Sequence, residues 1–213
     1  MAGALSAVTP VQAQTACATQ AATFTGDCFG PATLYQFTMK DFRLRIQGTT
    51  TFKTVKAADT PEKTFNAASV AAGGDLGQFA SGGPPLDPAT YDAVSPVLST
   101  TWSVQGSTGS SGGPTCFTKT ASPFSGATAP AQTFTFTVTS LPASDTVELS
   151  GTSIIIKDTS PSGLPLTITA NEKVTINTAF DVSFGVKFTF AGGVCTGADL
   201  GPILVTMTLT VTP

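Results

Sequence analysis

The segment Ile203 to Thr212 (ILVTMTLTVT) alternates apolar and polar residues from Val205 onward, with Val205, Met207, Leu209 and Val211 on one face and Thr206, Thr208, Thr210 and Thr212 on the other. A period of two is the signature of a pleated strand with one face in a core and the other in water. The pattern recurs at Phe134, Phe136 and Val138 with threonines between them, and again at Val182, Phe184, Val186, Phe188 and Phe190. These rows predict an all-β protein, an antiparallel β-sandwich or jelly roll with at most one substantial helix. They also predict that Phe134, Phe136, Val182, Phe184, Val186, Val205, Met207 and Leu209 lie in the core, joined by Phe188 and Phe190 if the strand stays in register.

Further strands are expected at Leu34–Ile46, Phe52–Val55, Val97–Val104, Thr133–Ser140, Thr146–Leu149, Ser153–Ile156, Leu164–Thr169, Lys173–Ile176 and Val182–Phe190. Within the first of these, Phe37 and Met39 alternate in one phase and Phe42, Leu44 and Ile46 in the other, so a bulge near Asp41 is needed to keep both sets on one face. Arg43 and Arg45 then project together as a solvated basic pair. Thr60-Pro61-Glu62 has the form of a helix start and Gly73-Gly74 of a stop, which predicts the one true helix between them. Asp87-Pro88 opens a second, shorter helical turn.

The stretch from Gly106 to Pro114 (GSTGSSGGP) is a flexible Gly/Ser connection. We read it as a long loop inside one β-sandwich domain spanning 14–213, because the first half alone offers too few strands for a covered sandwich. Val70-x-x-Gly73-x-Asp75-Leu76-Gly77 and Val194-x-x-Gly197-x-Asp199-Leu200-Gly201 share a spacing, but their flanks do not align. The recurrence reads as shared turn chemistry.

Composition narrows the function. Charged residues are 11% of the chain, well under the roughly 25% of ordinary soluble domains, and roughly one residue in six is threonine. Formal net charge −3 and a pI near 4.7 argue against nucleic acid as a partner, which would require clustered Lys and Arg. Met1–Ala13 (MAGALSAVTPVQA) has the form of a secretory signal remnant, with Val11 and Ala13 at the −3 and −1 positions before Gln14. It lacks a basic residue ahead of its apolar run, so either the true start lies upstream or the segment is an ordinary terminus. No run of 18 apolar residues predicts a membrane span.

Four cysteines, Cys17, Cys28, Cys116 and Cys195, in an exported chain predict two disulfides. Of the three pairings, Cys17 with Cys28 and Cys116 with Cys195 is favoured, since the first clips the N-terminal segment to the first strand. Without histidine or a C-x-x-C pair, no zinc site is expected, and no other metal or cofactor is implied.

The absence of histidine removes Ser-His-Asp and Cys-His catalysis, and no S-x-x-K element is present to support a serine-lysine pair. The 13 acids are scattered, with no sign of the facing carboxylates a glycosidase needs. Asp75, Asp87, Asp92 and Asp199 read as turn formers rather than calcium ligands. No catalytic residue is nominated.

The expected function is that of a non-enzymatic secreted structural protein, a subunit of an extracellular fibre, pilus or surface layer that associates with copies of itself through strand edges. Its candidate assembly strand is the last one, with Val205, Met207, Leu209 and Val211 suited to fill a neighbour's groove. An internal last strand, with no exchange, is the favoured form. The alternative is a carbohydrate-binding or adhesive module that holds cell-surface glycans on Tyr35, Tyr91 and Trp102, the chain's only tyrosines and tryptophan.

Overall fold

The structure is a computed structural model and describes residues 15–55, 61–69, 86–109, 113–140, 146–159, 161–170 and 172–212. The expected signal remnant, the Val70–Gly77 element and residues 110–112 of the Gly/Ser loop lie outside the described residues.

A single turn at Cys17–Thr19 leads into β1 (Gly26–Gly30), the long β2 (Ala32–Ile46), β3 (Phe52–Thr54), β4 (Lys63–Asn66) and the longest strand, β5 (Ala89–Gly106). After the Gly/Ser connection come β6 (Phe117–Thr118), β7 (Ser125–Gly126), β8 (Phe134–Thr137), β9 (Val147–Ser150), β10 (Ser153–Ile156) and β11 (Leu166–Ile168). The chain ends with β12 (Lys173–Asp181), β13 (Val186–Ala191), β14 (Val194–Leu200) and β15 (Leu204–Thr212). All strand pairings are antiparallel, and the only helical pieces among the described residues are two three-residue 3-10 turns. The fold is an all-β sandwich.

One layer is an eight-stranded sheet built on the β2–β5 pair. β3 and β4 flank β2, while β11, β10 and β8 line up along the far side of β5, with β9 outside β10. Its inner face carries Tyr35, Phe37, Met39, Phe42 and Leu44 from β2, all buried. The phase change is absorbed by register shifts between Phe37 and Met39 and between Met39 and Asp41. Asp41 stabilises the irregularity, since its carboxylate accepts from the Phe42 N–H at 2.8 Å and from Arg43 Nε at 2.6 Å. Arg45 is ion-paired as well, with Asp92 at 2.8 Å, so the two arginines are not a free basic pair.

The facing layer consists of the three-stranded β1–β13–β14 sheet and a separate two-stranded ribbon, β12–β15. Phe180 of the ribbon packs on Phe37 at 5.2 Å between ring centroids, and Phe37 in turn contacts Trp102 at 5.4 Å and Phe65 at 5.9 Å. Disulfides join Cys17 to Cys28 and Cys116 to Cys195, with Cα atoms 4.9 and 5.8 Å apart. The first holds the N-terminal turn on β1. The second ties the segment before β6 to β14.

Several expectations need correction. Where a helix was expected after Thr60, Lys63–Asn66 is β4, paired with Gln36–Met39, followed only by the Ala67–Ser69 turn; the remainder up to Gly74 lies outside the described residues. Pairing with the edge of β2 and stacking of Phe65 on Phe37 outweigh a local capping signal. Asp87-Pro88 forms no helical turn and leads directly into β5.

Val182–Phe190 is not one strand. Val182 to Gly185 form a turn closed by a Gly185 N–H to Val182 O bond of 2.9 Å, and β13 starts at Val186. The turn docks so tightly on β2 that a Cβ at Gly185 would sit 2.9 Å from Ala32 Cβ. Phe134, Val186, Phe188, Phe190 and Leu209 are buried, whereas Phe136, Val182, Phe184, Val205 and Met207 are only partly so. Finally, Val194–Leu200 is strand β14 rather than a turn, and the described ends of the Gly/Ser loop are tied down: Thr108 N–H donates to Cys116 O at 3.0 Å and Gly106 N–H to Thr118 Oγ1 at 3.1 Å.

Candidate functional site

Charged side chains in the described structure pair locally. Asp41 bonds Arg43, Asp92 bonds Arg45, Asp87 meets Lys53 at 3.0 Å, Glu148 meets Lys157 and Asp27 meets Lys187. Asp41 and Arg43 share β2, and the other pairs join different segments of the chain. Among the described residues, no three acidic or cysteine side chains converge as a metal-binding group. Asp87 and Asp92 are engaged by Lys53 and Arg45, and Asp199 accepts from the Leu200 N–H at 2.8 Å; Asp75 lies outside the described residues. No helix of the described structure is long and apolar enough to cross a membrane.

The aromatic trio of the glycan reading is internal. Tyr35, Tyr91 and Trp102 are 3%, 0% and 5% exposed. Tyr35 and Trp102 do meet edge-on at 5.8 Å, but inside the sandwich, while Tyr91 lies at the opposite end of β5 against Ile46. Burial and the nearby Asp199 carboxylate push the Tyr35 hydroxyl far above its ordinary pKa, so it stays protonated against Gly201 O. None of the three offers a stacking face to a sugar.

Beneath the ribbon lies a cavity of about 70 Å³, walled by Phe37, Trp102, Phe180, Val205 and Met207 among others. Trp102 Nε1 is buried without a hydrogen-bond partner. The lining is core material, with Thr146, Thr178, Lys157 and Asp158 as its polar members.

Backbone chemistry distinguishes one place on the surface. β12 and β15 pair from Lys173 with Thr212 through Asp181 with Leu204. The other edge of β15 is closed: Ser162 N–H donates to Met207 O at 3.2 Å, and Leu209 N–H donates to Ser162 O at 3.0 Å. A strand residue directs its N–H and C=O to one side, and successive residues alternate. Because Met207 and Leu209 point away from β12, Thr206, Thr208 and Thr210 point toward it, and their partners Ala179, Asn177 and Thr175 point back. Val174, Ile176, Thr178 and Phe180 therefore aim their amide and carbonyl groups outward. Among the described residues nothing accepts or donates to them. Just beyond, Val182 O accepts from Ala32 N–H at 3.2 Å, which ends the open stretch.

Several other edges are managed. β3, β4 and β9 have three, four and four residues and carry Lys53, Lys63 and Glu148. β1 is covered by the Thr15–Ala16 backbone, and β14 is met by Pro123 O. Short length, charge and cover are the usual protections of a sheet edge. β12 is nine residues long, carries charge only at its ends, Lys173 and Asp181, and contains no proline; among the described residues no strand pairs with its outer edge, although the Ala67–Ser69 turn lies close to the strand.

The structure thus keeps the last strand internal. Val205, Met207, Leu209 and Val211 face the core or its margin, and nine register pairs hold β15 to β12. Among the described residues, the long edge without a strand partner belongs to β12, of which the alternation predicts only Lys173–Ile176. Its outward bonding capacity is invisible in a hydropathy pattern. No family model matches the chain, nor does any curated protein or solved structure.

Proposed function

We propose that the protein is a non-enzymatic secreted structural subunit that associates with copies of itself by strand pairing. The observation that carries the reading is the long outer edge of β12, uncharged between its end residues, with which no strand pairs among the described residues. An unprotected edge of this length is a template for a further strand, and its retention amid protected edges is the mark of use. Two disulfides are compatible with export to an oxidising compartment. The threonine-rich, charge-poor surface suits packing of copies against one another as parts of a fibre, pilus or surface layer.

The test is Thr178→Pro. Proline lacks the outward N–H and obstructs an incoming strand, yet the bonds from β12 to β15 run through its neighbours. Wild-type protein is expected to form oligomers by light scattering and ordered assemblies by electron microscopy, and the variant to remain monomeric with an unchanged circular dichroism spectrum. A wild-type protein that stays monomeric at every concentration, and instead gives a saturable signal on a glycan array, would replace this reading with the carbohydrate-binding one.

A further inference from the structure

The sequence of β12 is complementary to itself when reversed. It runs Lys173-Val-Thr-Ile-Asn177-Thr-Ala-Phe-Asp181, with a cation at one end, an anion at the other and Asn177 at the midpoint. We propose that the partner strand on the open edge is β12 of a second copy, antiparallel and related by a two-fold axis through Asn177, so that two ribbons fuse into one four-stranded sheet. This rests on the self-association reading and adds to it a partner strand, a symmetry and a register.

In this register Lys173 lies opposite the second copy's Asp181 and Asp181 opposite its Lys173, giving two cross-strand ion pairs. The outward-bonding residues match each other: Val174 pairs with Phe180 of the second copy and Ile176 with its Thr178, as reciprocal hydrogen bonding in an antiparallel ladder requires. Side chains directly opposite share a face. Val174, Ile176, Thr178 and Phe180 therefore remain on the core side, with Thr175, Asn177 and Ala179 on the solvent side and the two Asn177 amides facing each other. An isologous contact of this kind closes on itself as a dimer, and the dimer is the unit from which any larger assembly grows.

Neighbouring registers are worse. Sliding the second strand so that Thr178 faces its own copy sets Val174 opposite Val182, whose carbonyl is already bonded to Ala32 N–H, and separates both charge pairs. Sliding it the other way places Ile176 on the axis, sets Glu172 opposite Phe180 and again separates the charges. Lys173 makes no ion pair within the described residues, and Asp181 accepts only from the Ser183 N–H at 2.8 Å among them.

Cysteine cross-linking of the full chain reads the register directly. Opposed residues at a non-hydrogen-bonded antiparallel position have Cα atoms about 4.5 Å apart, within disulfide range. Asn177 is exposed and the described native cysteines are all bonded, so Asn177→Cys adds one reactive thiol. Mild oxidation is expected to convert it to a covalent dimer, while Thr175→Cys, which faces Ala179 of the second copy, stays at background. In the parent chain, Lys173→Asp is expected to weaken dimerisation on the order of tenfold by replacing two attractions with two repulsions, and K173D/D181K to restore it. Oligomeric wild-type protein with no cross-link at Asn177, or with no response to Lys173→Asp, overturns the two-fold register but leaves self-association standing. A strictly monomeric wild-type protein overturns both.

Discussion

The open edge of β12 has its counterpart in the closed edge of β15, and that closure depends on one glycine. Gly163 has φ +95° and lies so close to the last strand that a Cβ on it would stand 2.4 Å from Leu209 O. Gly163→Ala forces a non-glycine residue into a left-handed conformation, at about 1 kcal/mol, and the clash drives the Ser162–Leu164 turn off β15. Two backbone bonds, Ser162 N–H to Met207 O and Leu209 N–H to Ser162 O, are then lost at about 1 kcal/mol each. The sum is about 3 kcal/mol, or about 6–12 °C in Tm for a chain of this size. Gly151 supplies the control: its φ is +56° and a Cβ added there would meet nothing within 4 Å, so Gly151→Ala carries the conformational cost alone, about 1 kcal/mol and about 2–4 °C. Differential scanning calorimetry of both variants gives the comparison. Equal losses would refute the argument, because they would show that close approach to Leu209 contributes nothing beyond the left-handed backbone.

Two further outcomes follow from the same structure. Replacing Cys116 and Cys195 together by serine opens a crosslink of sequence separation 79 and is expected to cost on the order of 4 kcal/mol in urea unfolding, whereas a loss under about 1 kcal/mol would show that the unfolded chain is already constrained there. Tyr35 holds its proton more tightly when folded, mainly through burial and then through Asp199, so its contribution to stability is complete below its ordinary pKa of 10.0 and declines as the pH rises above that value. Urea midpoints of the wild type should therefore fall more steeply between about pH 9 and pH 11 than those of Tyr35→Phe, and parallel slopes would show that the hydroxyl is not shielded.

Local sequence chemistry determined much of this protein. Alternation in Val205–Thr212 marks β15, two phases meeting at Asp41 mark the irregularity in β2, and neither depends on knowing a partner, because side-chain direction follows from backbone geometry alone. What a segment pairs with was decided elsewhere. Lys63–Asn66 carries a helix-like preface but becomes a strand because the edge of β2 and the ring of Phe37 are beside it. The alternation through Val182 and Phe184 continues into a turn because Gly185 must pass against Ala32 and Tyr35. β14 was hidden since Gly197 and Asp199 interrupt its apolar row while its ladder to β13 does not need one. Tyr35, Tyr91 and Trp102 looked equally suited to a ligand or a core, and only packing put all three inside. The open edge is the furthest of these from the sequence. Hydropathy records side chains, whereas an edge consists of backbone amides and carbonyls whose satisfaction depends on which other segment arrives, and for β12 only the tertiary structure shows that one side is met by β15 while no described strand pairs with the other.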